Sequence, residues 1–271
     1  MSKTKLRLTI FSVLIFILLA IAVFAPQIAP FDPNEAILTN ANQAPNDIHL
    51  FGTDKMGRDI FSRVIFGART SITSTLILVI SVFTIGGTLG MIAGYAGGRV
   101  DTIIMRISDM MVSFPGMALA IAMAGLLGPS LTNAVIAITM VTWTKYARLS
   151  RSLVLKVRNM DYIKAATLSG SSHFTIIRKH LIPTILPTLV VTAATDVGGL
   201  MLELAGFSFL GLGANAAAIE WGYMLNEGRE AMLSSPWIMI YPGLAIFITV
   251  VLFNLLGDSV RDNLDPKDNI A

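Results

Sequence analysis

Charge is scarce in this chain: 14% of its 271 residues are Asp, Glu, Lys or Arg, against about 25% in a typical soluble domain. A surface built from so few charges does not stay monomeric in water. With 54% hydrophobic residues and a mean hydropathy of +0.70, the composition reads as a polytopic membrane protein. Cysteine is absent, which excludes thiol catalysis, iron–sulfur clusters and cysteine zinc sites. Three histidines are too few for a histidine-rich metal site. No Gly-Lys pair occurs anywhere, so there is no phosphate-binding Gly-x-x-x-x-Gly-Lys-Ser/Thr loop and the chain does not itself hydrolyse ATP. His-Glu-x-x-His and Gly-x-Ser-x-Gly are missing too, and no nucleophile–base or metal constellation marks an enzyme. The net charge of +3 fits basic loops on one membrane face better than a nucleic-acid partner.

What the sequence has instead is long uncharged runs. A helix crosses a bilayer in about 20 apolar residues, and Leu8–Phe31, Thr70–Gly98, Met110–Thr144 and Ala231–Gly257 all reach that length. The third run is broken at Gly128-Pro129-Ser130 and reads as two spans joined by a turn. Ile182 to about Gly206 is apolar apart from Asp196 and Glu203. The expectation is an all-α membrane protein of six helices. The first run also has the look of a signal peptide, with Lys3, Lys5 and Arg7 ahead of it and Ala-x-Ala at Ala20–Ala22, although it is longer than a signal core.

Lys and Arg orient the spans. With a cytoplasmic N-terminus, the inside segments hold Lys3, Lys5, Arg7, Arg99, Arg106, Lys145, Arg148, Arg151, Lys156, Arg158, Lys164, Arg178, Lys179, Arg261 and Lys267. Only Lys55, Arg58, Arg63, Arg69 and Arg229 stay outside. The positive-inside rule therefore puts both termini in the cytoplasm.

Two loops stand out. The outer one, from about Asp32 to Arg69, is turn-rich at Pro33, Asn34, Asn40, Asn42, Pro45 and Asn46. Ile60, Phe61, Val64 and Ile65 then recur at helical spacing, consistent with a short surface helix before the second span or with an ordinary connecting loop. The inner one, Lys145–Ile182, has apolar residues at 162, 163, 165, 166, 168, 174, 176 and 177, interrupted by Gly170-Ser171-Ser172. It reads as two short helices exposed for docking, with a solvated loop as the alternative.

Carboxylates in the apolar segments are costly and commonly face a bundle interior or water-filled route. Asp196 and Glu203 are seven residues apart and share a helix face; Asp109 lies near the start of span three. They either line a route for a cation or polar solute, or are paired or protonated for structural reasons. Gly86-Gly87-Thr88-Leu89-Gly90 and Gly94-Tyr95-Ala96-Gly97-Gly98 lie in span two, where close helix approach accounts for them better than phosphate binding.

At the inner loop the residues Asp161-Tyr162-Ile163-Lys164-Ala165-Ala166-Thr167-Leu168-Ser169-Gly170, with Pro183 thirteen residues further on, resemble the Glu-Ala-Ala loop of binding-protein-dependent ABC importer permeases. Ala165, Ala166, Gly170 and Pro183 fit the pattern; Lys164 stands where that pattern has Glu, His180 replaces its first Ile and Ile182 its Leu. The segment His49–Arg63 resembles the outer-loop signature of the peptide/nickel permease family, C-type subunit. So do Gly94–Asp101, Met105–Asp109, Ser113-Phe114-Pro115, Ser208–Gly213, Glu220–Leu225 and Phe253–Asp258, with Arg261-Asp262 and Asp265-Pro266. Trp143–Arg148, and Asp196–Gly199 before Ala205–Leu210, look like nickel and metallophore members, and Asn215–Ile219 lacks the prolines common in the peptide branch.

The resemblance implies a type I ABC importer permease fold, with residues 1–69 as N-terminal helix and outer loop, 70–258 as core and 259–271 as cytoplasmic tail. It implies a bacterial cell-membrane location in lipid, a paralogous permease partner, two ATPase subunits and an extracytoplasmic solute-binding protein. ATP and Mg would sit on the ATPases, leaving this chain without a cofactor. Asp161–Phe174 would be the coupling helix seated on an ATPase, with Ala165, Ala166 and Gly170 at its packing centre. Gly52–Arg69 would face the binding protein or cap the pore. The cargo implied is nickel or a nickel chelate, with di- or oligopeptides as the alternative. A stand-alone secondary transporter or channel is the reading from another class, and it leaves the inner loop without a role.

Overall fold

The computed structural model describes residues 3–215 and 218–264. The expectations at Asp265, Pro266 and Lys267, and part of those for the 259–271 tail and the Asn215–Ile219 segment, lie outside the described residues. Helix dominates throughout, and the described residues contain no strand beyond an isolated Thr53–Asp59 bridge.

Helix α1 (Lys3–Val23) is followed by the single turn α2 (Ala25–Ile28), with Pro26 in its first turn where a missing N–H costs nothing. Irregular chain then runs to α3 (Ile60–Ala96). Asp59 caps α3, accepting from the Ser62 N–H at 2.8 Å and the Ser62 hydroxyl at 2.7 Å. The 37 residues of α3 extend about 55 Å at 1.5 Å each, well beyond a hydrocarbon core of about 30 Å. The short surface helix expected at Ile60–Gly67 is therefore not separate: it forms the first turns of α3 and projects beyond the apolar stretch. The 69/70 boundary falls inside this helix.

Gly97, with φ of 66°, ends α3 and admits an immediate turn into α4 (Gly98–Val112). α4 and α5 (Gly116–Leu127) meet at 92°. The bend corrects the expectation of an unbroken helix from Met110: Pro115 forces Phe114 away from helical geometry, so Met110–Val112 belong to α4. The break at Gly128-Pro129-Ser130 falls as expected, and α6 runs from Leu131 to Arg158. This is a second correction, because the inner loop was expected from Lys145. Tyr146, Ala147, Ser150, Val154 and Val157 are buried at helical spacing and carry the helix four turns further.

Beyond α6 come α7 (Asp161–Leu168), α8 (His173–Ile176), a π-helical turn Ile177–Leu181 and α9 (Ile182–Phe209). α10 (Trp221–Gly228) and α11 (Trp237–Leu264) complete the described chain. By length and apolar composition four helices can cross a membrane, Thr4–Val23, Ile60–Ala96, His173–Phe209 and Trp237–Asn263, and the bent α4–α5 pair makes a fifth. α6 has 28 residues, but Lys145, Arg148, Arg151, Lys156 and Arg158 lie outside its buried face.

Lipid tails solvate apolar side chains, so close backbone approach holds such helices together. α3 and α6 form the most extensive pair. A Cβ at Gly86 would lie 2.4 Å from the Trp143 carbonyl oxygen, one at Gly90 2.1 Å from that of Ala147, and one at Gly94 2.9 Å from Val154 Cβ. Steps of four residues on α3, and of four and seven on α6, keep these contacts on one seam. The Ser150 hydroxyl donates across it to the Gly87 carbonyl at 2.8 Å. Gly86, Gly90 and Gly94 thus pack helices, as expected from their place in the second span, whereas Gly97 and Gly98 make the turn into α4.

Candidate functional site

Three groups of residues are candidates for function. The first is the α7–α8 hairpin. Ile163 and Ile176 are buried and pin it to the bundle, while Leu168 is 89% and Phe174 71% exposed, with Tyr162 also outside. Gly170, with φ of 79°, makes the turn between the helices and has open space around it. Lys164 reaches Asp161 at 3.1 Å, with both side chains exposed, a pair worth little. Ala165 is exposed and Ala166 half-buried. Pro183 lies in the first turn of α9, after the π-helical turn. The two helices and the break at Gly170-Ser171-Ser172 follow the apolar spacing of the sequence.

The second group is the acids in and beside the apolar helices. Asp196 on α9 receives Lys145 Nζ at 2.7 and 2.6 Å and the Tyr146 hydroxyl at 3.0 Å. Asp109 on α4 is bridged by Arg148 at 2.9 Å, whose Nε also donates to Ser108. Asp101 takes Arg151 through both oxygens, at 2.5 and 2.6 Å. One stretch of α6, at residues 145, 148 and 151, thus supplies a cation to each of three acids on α4 and α9. Glu203 shares the exposed side of α9 and has no hydrogen bond or salt bridge among the described residues. Asp196 and Glu203 lie on one helix, whereas Asp109 lies on α4 and is paired to α6 through Arg148. Pairing was one of the two readings open for Asp196 and Asp109; their partners were not named from the sequence, although Lys and Arg at three-residue steps on a helical stretch was the available signal.

The third group was legible only as a signature. The loop before α3 is locked to α10 by a buried ionic cluster. Arg58 Nε donates to Asp54 at 2.6 Å and its Nη2 to Glu227 at 2.9 Å; Arg63 Nη2 donates to the other Glu227 oxygen at 2.7 Å. Burial opposes the charge on Arg58, but its hydrogen bond to Glu227 and the charges of Asp54 and Glu227 outweigh it, holding the guanidinium pKa above its ordinary value. His49 Nδ1 meets Asp59 at 3.0 Å. Glu220 caps α10 from the Gly222 and Tyr223 N–H groups, both at 2.9 Å. Burial pushes the Glu220 carboxyl up, against the hydrogen bonds from Gly222, Ser208, Tyr223 and Ser71. The Trp221 and Trp237 indoles donate to the Val64 and Thr53 carbonyls at 2.8 and 3.2 Å. Among the described residues no group of three His, Asp or Glu side chains could hold a metal ion.

The glycine-packed α3–α6 seam, the projecting α7–α8 hairpin and the acids of α4 and α9 paired from α6 make up the site. Among solved structures, the chain aligns with one from the inward-facing MetNI methionine ABC transporter at a TM-score of 0.60 and 20% identity, covering 75% of this chain and 97% of that one. A chain of an amino acid ABC transporter aligns at 0.53 and 14% identity. At such identities the likeness shows the fold alone, that of ABC importer permeases.

Residues 86–268 match the binding-protein-dependent transport system inner membrane component family, and residues 4–45 match the N-terminal TM domain of oligopeptide transport permease C. The chain belongs to the binding-protein-dependent ABC importer permeases, in the C-type group of the peptide/nickel family. It is 42% identical to the nickel transport system permease protein NikC of Escherichia coli (strain K12), over 98% of this chain and 95% of that protein. It is 44% identical to the probable D,D-dipeptide transport system permease protein DdpC of the same strain, over 94% and 86%. It is 42% identical to the dipeptide transport system permease protein DppC of Alkalihalophilus pseudofirmus, over 98% and 88%. The chain is a multi-pass membrane transport component and not an enzyme.

Proposed function

We propose that this permease carries nickel or a nickel chelate through the cell membrane, driven by separate ATPase subunits. α1, α3, α4–α5, α6, α9 and α11 make six crossings with both termini cytoplasmic, so the α7–α8 hairpin lies on the ATPase side. The observation that carries the coupling role is the hairpin itself: two buried isoleucines fix it while Tyr162, Leu168 and Phe174 stand outward. Apolar side chains exposed on a short, rigidly mounted helix suit a groove on a partner. Closure of two ATPases would push α7 and rock the attached helices as rigid bodies, with the nucleotide and Mg on those partners. A paralogous permease would supply the other half of the path, and a solute-binding protein would deliver cargo to the face formed by residues 32–59.

Nickel is favoured by the 42% identity to a nickel permease over 98% of the chain, together with the Trp143–Arg148 and Asp196–Gly199 segments. Peptide cargo is the second reading, favoured by the 44% identity to a D,D-dipeptide permease. Uptake into vesicles holding the reconstituted complex, with its binding protein offered nickel, nickel chelates and dipeptides in turn, separates them. Saturable ATP-dependent uptake of a dipeptide and none of nickel in any form overturns the nickel reading. Asp196 and Glu203 on α9 and Asp109 on α4 are the path candidates. Asp196→Asn is expected to reduce uptake. The Lys145→Met/Asp196→Leu pair is expected to recover membrane yield but not uptake; full uptake in both makes Asp196 purely structural.

A further inference from the structure

A cavity of about 690 Å³ opens between α7 and the end of α3, within the size range of small-molecule sites. Ile163, Leu168 and Ile176 give it apolar walls, and Arg158, Lys164 and His173 reach the same space, with no carboxylate lining it. Arg158 is half-buried. One of its Nη atoms donates to the Gly94 and Tyr95 carbonyls, both at 3.0 Å, and it has no salt bridge among the described residues. The acids around it are committed elsewhere: Asp101 holds Arg151 through both oxygens, and Asp161 holds Lys164 only in an exposed i,i+3 pair. His173 Nδ1 is bonded to the Tyr95 hydroxyl at 2.7 Å. A partly desolvated guanidinium against an apolar wall, with its neighbouring acids already neutralised, favours an anion attached to a hydrocarbon chain.

The position of the cavity narrows the source. Tyr95 and Ala96, the last residues of α3, border it, and Leu168 at its rim is 89% exposed. From Gly97 the chain turns into α4, which exposes Val100, Ile103 and Ile107 alongside Arg99 and Arg106, the pattern of a segment at an apolar–polar boundary. Basic pockets between helices at the cytoplasmic membrane surface take lipid head groups. We propose that this cavity holds an anionic phospholipid of the cytoplasmic leaflet, its phosphate against Arg158 and Lys164 and its acyl carbons along Ile163 and Ile176, with Leu168 at the rim left to the ATPase groove. The lipid would tie the end of α3 to the α7 hairpin. The proposal rests on the orientation under Proposed function.

The test uses the full complex of both permeases and both ATPases, purified in a delipidating detergent and offered phosphatidylglycerol or phosphatidylcholine in nanodiscs. Tightly held lipid per complex is counted by mass spectrometry. Wild type is expected to retain phosphatidylglycerol over phosphatidylcholine, and Arg158→Ala to lower that retention about fivefold, the factor for one cation near an anionic membrane surface. Because Arg158 also caps α3, Ala96→Phe puts a ring into the cavity with every charge in place, and a loss in the same direction is expected from it. Equal phosphatidylglycerol retention by Ala96→Phe and wild type overturns the site. So does retention by the permease pair that vanishes once the ATPases assemble, since an ATPase side chain then occupies the space. Lys156→Cys, at an exposed position of α6 outside the cavity and the hairpin, in this cysteine-free chain reads the orientation separately: labelling only from outside overturns the leaflet, whereas ATP-driven uptake by the same complex reports on the permease function alone.

Discussion

Glu227→Gln is expected to destabilise the permease by about 3 kcal/mol, although the two side chains are nearly the same shape. Glu227 gives one oxygen to Arg58 at 2.9 Å and the other to Arg63 at 2.7 Å. The side chains of these residues are 13%, 7% and 3% exposed, and Asp54, at 6%, is the remaining anion. Two cations thus face two anions out of water. Removing one partner of a buried pair costs about 3–5 kcal/mol, because the charge left behind is neither hydrated nor neutralised; the partial exposure of Glu227 favours the lower end. At about 2–4 °C per kcal/mol for a chain of this size, a thermal scan of the purified complex should show Tm falling by about 6–12 °C. Glu230→Gln is the control: its contact with Lys55 is 3.8 Å long, with side chains 76% and 49% exposed, and such pairs are worth under about 1 kcal/mol. Removing Arg63 together with Glu227 leaves Arg58 opposite Asp54 and should recover part of the loss. If Glu227→Gln melts with wild type and Glu230→Gln, the cluster does not hold the loop to α10 and the reasoning fails.

Gly90→Ala places a Cβ 2.1 Å from a backbone oxygen of α6 and should cost about 1–3 kcal/mol as an overpacked contact. Gly125→Ala, with nothing within 4 Å, should leave Tm unchanged or raise it slightly; equal effects would show that the α3–α6 seam can part freely. For Glu220 the folded-state pKa is raised by burial, so its contribution to stability is present in acid and is lost as pH rises from the unfolded value of about 4.3 through the folded one. Glu220→Gln should flatten that part of a Tm–pH profile, and Glu220→Ala should cost about 1–2 kcal/mol at every pH through loss of the cap; an unchanged slope in the Gln variant refutes the burial argument. Gly170→Trp should leave membrane insertion intact and abolish both transport and ATPase association, and normal copurification of the ATPases would sink the docking role of the hairpin.

Features governed by neighbours along the chain were legible from the residues alone. The apolar runs became α1, α3, α9 and α11; the break at Gly128-Pro129-Ser130 separated α5 from α6; the hairpin broke at Gly170. Two boundaries moved for local reasons that polarity concealed. α3 starts at Ile60 because Asp59 caps it, despite Arg63 and Arg69, and α6 passes Lys145 because its buried face stays apolar to Val157. The 92° bend at Pro115 was invisible to a search for uncharged runs, since the chain stays apolar through it.

Composition and periodicity by themselves determined that this is a helical membrane protein, and they pointed to glycine packing in the second span and to two short helices broken at Gly170. These depend on run length and on three- and four-residue spacing, which are properties of one strand of chain. Only the tertiary structure decided that Asp196, Asp109 and Asp101 are each neutralised from α6, and that Arg58 and Arg63 meet Glu227 across 169 and 164 residues. The reason is physical: a charge inside an apolar body is tolerable only beside its counter-ion, and which counter-ion is near is set by how the helices pack.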